Sequence, residues 1–304
     1  MDIQVIYNTP YYIPLGIFIA TYFYLTGISA GSFVISAVTV LGGKKEYKSI
    51  GKIGSILAPV SLLIAPIFLL IDLEQPMRFW HLYIYLQMTS PITYGTFLLS
   101  AYPLNGVLYA WALFANKEKT AKILGITGIP LAICTHGYTG FILALGKGRP
   151  LWSTALMPTL FIVSAMVSGI ALVILIASFN NFFFTKRKDV EKAEQEKKLI
   201  LNLGKFMGAT IVADLFLILN DILVLLTSKT EEYHVAQLLL FGEFKFLFLG
   251  IEIFLGSIVP LFVVFFPKTG QTLRGNVFAS LLVMIGVFAM RLTVVYAGQS
   301  VPLH

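Results

Sequence analysis

"IPLGIFIATYFYLTGISAGSFVISAVTVL", residues 13–41, runs for 29 residues without one charged side chain. As a helix it would rise about 43 Å, more than the ~30 Å hydrocarbon core of a bilayer. Strands rarely exceed about 10 residues, and no strict alternation of apolar and polar residues is visible here. The stretch predicts a membrane-spanning helix. Seven more runs of this kind follow, giving eight predicted spans at 13–41, 51–73, 91–115, 121–146, 154–180, 200–227, 238–266 and 273–297. Runs of this length exclude a transmembrane β-barrel. The fold class is therefore an all-α integral membrane protein, in keeping with 57% hydrophobic and 12% charged residues and a mean hydropathy of +0.84. The first run has no basic segment before it and is too long for a signal-peptide core, so it is expected to stay as the first span.

The longest polar interruption, "TKRKDVEKAEQEKK" (185–198), divides the chain into a membrane half 1–184, a charged loop 185–199 and a membrane half 200–304. Lys and Arg fall unevenly about the spans. The connections after spans 1, 3, 5 and 7 hold fifteen: Lys44, Lys45, Lys48, Lys52, Lys117, Lys119, Lys122, Lys186, Arg187, Lys188, Lys192, Lys197, Lys198, Lys268 and Arg274. The other side has four: Arg78, Lys147, Arg149 and Lys229. The positive-inside rule then predicts a multi-pass protein of the cytoplasmic membrane with both termini extracytoplasmic. The net charge of +7 follows from this topology, and no nucleic-acid partner is implied.

The chain is poor in metal and cluster ligands. One cysteine, Cys134, excludes a disulfide framework and a Cys-ligated iron–sulfur cluster. Of the four histidines, only His136 lies within a predicted span, so a bis-histidine haem across the membrane is excluded too. What remains is a set of polar residues inside spans, where they are expensive and often functional. Asp214 and Asp221 lie seven residues apart in span 6, about 10 Å along one face. Lys245 and Glu252 have the same spacing in antiparallel span 7. Matching depth predicts an ion pair of Lys245 with Asp221, and Asp214 sharing a proton with Glu252. Purely structural pairing is the alternative. In span 4, His136 and Tyr138 are about 200° apart around the helix and face different surroundings. Cys134, Tyr138 and Phe141 form one face; His136, Thr139 and Gly140 form roughly another.

Five segments in order carry a family resemblance: "TGISAGSF" (26–33), "DLEQPMRFWHLY" (72–83) with "TSPITYG" (89–95), "YTGFILALGKGRPLW" (138–152), "PTLFIVSAMVSGIA" (158–171) and "RLTVVYAGQSVPL" (291–303). Together they resemble the NrfD/PsrC family, the membrane subunits of polysulfide, thiosulfate, tetrathionate and nitrite reductases. The resemblance implies two four-helix bundles, no redox cofactor in this chain, and a quinone site near the outer surface. It implies an extracytoplasmic four-cluster iron–sulfur partner and a catalytic subunit of molybdopterin or multihaem type. The span 4 tyrosine that the family associates with quinone corresponds to Tyr138. The family's span 1 Asn and His correspond to Ile19 and Tyr22, a departure from its pattern.

The expected function is a membrane anchor exchanging electrons between menaquinone or ubiquinone and that iron–sulfur partner, with membrane lipid as its surroundings. The expected quinone region comprises Tyr138, Tyr22, His136, Asp72 and Arg291, with Asp72 pairing with Arg291 near the outer surface. Asp214 and Glu252 are the expected proton-handling pair. Trp80, Tyr83 and Tyr85 read as interfacial anchors, and Arg78 and His81 as partner-docking residues. A proton-coupled secondary transporter is the rival reading. The lack of inverted repeats or paired broken helices in the sequence weighs against it.

Overall fold

The computed structural model describes residues 15–43, 45–186, 190–228 and 230–301. Lys44, Arg187, Lys188, Lys229, His304 and the first two residues of the first predicted span lie outside the described residues. Eight helices are long and apolar enough to cross a membrane: Ile17–Leu41, Lys48–Asp72, Pro91–Phe114, Glu118–Ala144, Met157–Phe183, Val190–Thr227, Phe246–Phe265 and Leu273–Ser300. They are spans 1 to 8 below. No strand occurs among the described residues.

Local chemistry explains several boundaries. Pro91 opens span 3, where a missing N–H is harmless. Thr272 caps span 8, its hydroxyl accepting from the Gly275 N–H at 3.0 Å. The charged stretch from Val190 onward is the first part of span 6, because Glu, Lys, Ala and Gln are good helix formers. Span 7 departs most from expectation. An α-helix, Thr230–Leu240, ends in a turn, and the chain then enters a π-helix, Phe246–Ile258, before a short α-helix, Val259–Phe265. π-Helical turns are rare and concentrate at functional sites.

Span 1 is the central strut, packed on spans 2, 4, 5 and 8. Spans 3 and 4 pair and complete the first half, while spans 5 to 8 close around one another in the second. The halves meet closely because Gly31 and Gly169 put the backbones of spans 1 and 5 in contact; a Cβ on either would collide with the other span. The apolar core has three parts. One lies among spans 1 to 4, one near the lysine-rich end, and one near the opposite, aromatic end that carries residues 73–90.

Candidate functional site

A buried polar layer separates the two larger apolar cores. Thr26, His136, Ser164 and Arg291 lie seven to nine residues from the aromatic ends of spans 1, 4, 5 and 8. That is about 10–14 Å of helix, so four spans deliver polar groups to one depth. Arg291 is fully buried. Its Nη2 donates to Ser164 Oγ at 2.6 Å and to the Phe161 carbonyl at 3.4 Å, and lies 3.3 Å from His136 Nε2. The guanidinium sits 4.0 Å from the Phe161 ring centroid, a cation–π contact in a dry setting. On its other nitrogen, His136 is 3.3 Å from the Thr26 hydroxyl. If His136 Nδ1 carries the proton, Thr26 accepts it, and Nε2 is then free to accept from Arg291.

Two carboxylates belong to the same buried cluster. Asp214 of span 6 and Glu252 of the π-helix are both buried, and both interact electrostatically with Arg291 and with each other. Neither makes a direct ion pair with it. Arg291 Nε and Nη1, Asp214 Oδ1 and Glu252 Oε2 are all buried without a hydrogen-bond partner. The wider π-helix helps set the geometry: Ser257 Oγ donates to the Glu252 carbonyl five residues back, at 3.2 Å.

A second group lies nearer the aromatic end. Tyr138 is half-buried, with its ring and hydroxyl packed on Gly95 of span 3 so tightly that a Cβ there would collide with them. Cys134 and Phe141, on the same stripe of span 4, are exposed on the lipid-facing surface. Tyr22 is buried and close enough to Tyr138 to interact electrostatically. Between the groups run aromatic contacts: Tyr22 to Phe23 at 5.6 Å, Phe23 to Phe161 at 5.5 Å and Phe161 to His136 at 5.6 Å.

Two expected pairings do not form. Arg291 turns inward to Ser164 and His136, whereas Asp72 ends span 2 beside Gly16, at the start of span 1. A carboxylate there faces the positive end of the span 1 dipole. Lys245 is exposed at the N-cap of the π-helix, directly after the turn, and Asp221 instead faces the Thr154 hydroxyl. The break at 241–244 moves Lys245 off the helical face that simple counting assigns to it. Asp221 lines a 380 Å³ cleft at the aromatic end together with Glu231, Glu232 and Lys147.

His136 and Tyr138 do face different surroundings, one buried against Arg291 and one at the lipid edge. Residues 73–88 form a largely exposed surface with Arg78, Met77 and Tyr85 outward, while His81 packs on Trp80 at 4.0 Å. Ser164, Phe161, Thr26 and Gly95 were not singled out from sequence as site residues. They lie in "TGISAGSF", "TSPITYG" and "PTLFIVSAM"; for Thr26 and Ser164 the available signal is a small polar residue in an apolar span, and Phe161 and Gly95 carry none.

Comparison with known proteins agrees with this architecture. The chain is 30% identical to the Hdr-like menaquinol oxidoreductase integral membrane subunit of Archaeoglobus fulgidus, over 95% of this chain and 72% of that one. It is 29% identical to a selenate reductase subunit of Mesobacillus selenatarsenatis, over 94% of this chain and 74% of that one. It is also 29% identical to a polysulfide reductase polypeptide of Wolinella succinogenes, over 93% of each. The family model described as polysulphide reductase, NrfD, matches residues 6–302. This eight-span membrane protein belongs to the NrfD family.

Proposed function

We propose that the chain is the quinone-reactive membrane anchor of a respiratory oxidoreductase complex. It exchanges electrons between a membrane quinone and an extracytoplasmic iron–sulfur subunit, which passes them to or from a catalytic subunit. The observation that carries this reading is the half-buried Tyr138, on a stripe open to lipid, about 3 Å of helix rise nearer the aromatic end than the Arg291 cluster. A quinone needs a flat apolar slot reached from the bilayer and a donor for its oxygen, and a tyrosine supplies both. The names of the relatives, which include a menaquinol oxidoreductase subunit, support menaquinone as the first substrate to test, with ubiquinone second.

In this reading Tyr138 and Tyr22 orient the headgroup and Gly95 leaves the space that the Tyr138 ring occupies. His136 stays oriented by Thr26 and Arg291. Asp214 and Glu252 hold exchangeable protons behind it, with Arg291 as their nearby cation. Asp221, two helical turns from Asp214 on the same span, lines the cleft at the aromatic end. The labour then divides along the chain. Residues 1–184 contain Tyr22, Tyr138 and His136, residues 200–304 contain the carboxylates and Arg291, and the stretch expected as a loop at 185–199 is instead helical from Val190 on, as the charged start of span 6.

The fifteen-to-four distribution of Lys and Arg supports an outward aromatic end, where the exposed residues 73–88 offer Arg78 and neighbouring aromatics to the partner. Purification from the native membrane in mild detergent tests the reading. An iron–sulfur subunit that follows the chain, with quinol-dependent reduction of its clusters, is the expected result. A lone chain that moves a solute into liposomes with protons would overturn it in favour of a transporter.

A further inference from the structure

Two cavities lie side by side where spans 5, 6 and 8 reach the lysine-rich end, and both are lined by Asn181, Leu273 and Arg274. The first, of about 450 Å³, has Lys197 and Arg274 on its wall against one carboxylate, Glu194. The second, of about 470 Å³, follows the outside of spans 5 and 8 and is lined by Phe182, Phe278 and Leu281. These three side chains are exposed. Phe278 and Leu281 lie five and eight residues into span 8, so the slot descends about 8–12 Å from the helix start. The wall between spans is tied, because Asn181 Nδ2 donates to the Ala193 carbonyl at 2.5 Å.

We propose that the paired cavities bind one anionic phospholipid, with its phosphate in the cationic cavity and an acyl chain along the apolar slot. A small soluble anion would use only the first cavity, and an uncharged lipid would gain only from the second. A ligand with one negative end and an apolar tail fits both, and Arg274 stands at the junction. Cationic side chains at a membrane surface each favour acidic lipid by about 1 kcal/mol, or about fivefold in retention. The site is far from Tyr138 along the bundle, so the inference stands or falls independently of the proposed quinone chemistry.

The test is native mass spectrometry of the full chain in neutral detergent, titrated separately with phosphatidylglycerol, phosphatidylcholine and inorganic phosphate. The expected result is preferential retention of one phosphatidylglycerol. A Lys197→Gln, Arg274→Gln variant should weaken that retention by about thirtyfold. Lys119→Gln with Lys268→Gln removes the same charge at the same end but lines neither cavity, and should leave retention within about twofold. Val277→Trp fills the slot with both cations kept, and should also weaken it. Equal loss in the charge-matched control, equal retention of phosphatidylcholine, or displacement of the lipid by inorganic phosphate would each overturn the proposal. All variants are compared after a thermal melt shows the fold unchanged.

Discussion

Two neighbouring polar regions sit in this bundle and are built in opposite ways. The Tyr22–Tyr138 region is neutral, half-open and at the lipid edge. The Arg291 region is charged, closed and drawn from spans 1, 4, 5, 6, 7 and 8. Isolated charge in a membrane interior is strongly unfavourable, so such residues persist mainly where they pair, conduct protons or sense charge. The neutral region suits a ligand that comes and goes. The charged region suits protons that must be held without being lost to the lipid. The difference teaches that closeness in sequence does not fix surroundings: His136 is two residues from Tyr138 yet belongs to the other region.

The largest expected effect comes from removing the cation. Arg291→Gln leaves Asp214 and Glu252 without their countercharge and empties the Ser164 and Phe161 contacts. Breaking a buried charge arrangement typically costs about 3–5 kcal/mol. Quinol-dependent turnover should fall by at least about a hundredfold, with reduced yield of assembled protein. Arg291→Lys should restore assembly better than activity, because the ammonium lacks the flat fork that contacts Phe161 and Ser164 together. Full turnover in Arg291→Gln would erase the distinction between the regions.

Next come the carboxylates. Asp214→Asn and Glu252→Gln preserve shape while removing an exchangeable proton. Each should slow turnover or its linked proton uptake by about tenfold, with normal assembly measured by co-purification. Wild-type proton uptake in both variants would reduce the charged region to a structural device. A separate effect is expected on the π-helix itself. Gly256 and Gly286 pack backbone to backbone across spans 7 and 8, so Gly256→Ala must push the spans apart. Overpacking of this kind typically costs about 1–3 kcal/mol, and the thermal midpoint should drop by several degrees.

Much of this contrast was legible in the sequence, for identifiable reasons. Long uncharged runs such as 13–41 admit one solution in a bilayer, so all eight spans were readable. Depth was readable in part: counting residues along antiparallel helices brings Asp214 and Glu252 near enough to interact electrostatically, but no hydrogen bond joins the two carboxyls expected to share a proton. Counting assumes an unbroken helix, and that assumption fails at Lys245, where the turn at 241–244 leads into a π-helix of different pitch. Azimuth was less legible. Nothing in "RLTVVYAG" tells whether Arg291 looks toward Asp72 or toward Ser164, because that depends on how span 8 crosses span 5. Small residues such as Gly95 and Ser164 give no distinctive signal until the neighbour that uses them is seen.

A sharper test of the neutral region is Gly95→Ala. The added methyl would occupy the space of the Tyr138 ring and hydroxyl, so the ring must swing aside or the spans must separate. The half-saturating quinol concentration should rise by about tenfold while the Arg291 contacts, on other spans, stay in place. A change in proton uptake without a change in quinol affinity would show that the two regions are not separable.

The smallest expected effect is also the most discriminating. Tyr138→Phe keeps the ring packed on Gly95 and removes only the hydroxyl, so folding and assembly should be unchanged. One lost hydrogen bond typically costs about 0.5–1.5 kcal/mol, and more when the partner oxygen is left buried and unpaired. Since about 1.4 kcal/mol is a factor of ten, apparent quinol affinity should weaken by roughly threefold to tenfold. The measurement is turnover of the assembled complex against quinol concentration, with a quinone-site inhibitor titrated in parallel. His136→Ala provides the counterpart. It removes the ring held between Thr26 and Arg291 and should lower the maximal rate more than the quinol affinity. If Tyr138→Phe matches wild type in both titrations while His136→Ala abolishes inhibitor binding, the headgroup sits against the charged region. The lipid-edge tyrosine would then be a packing residue.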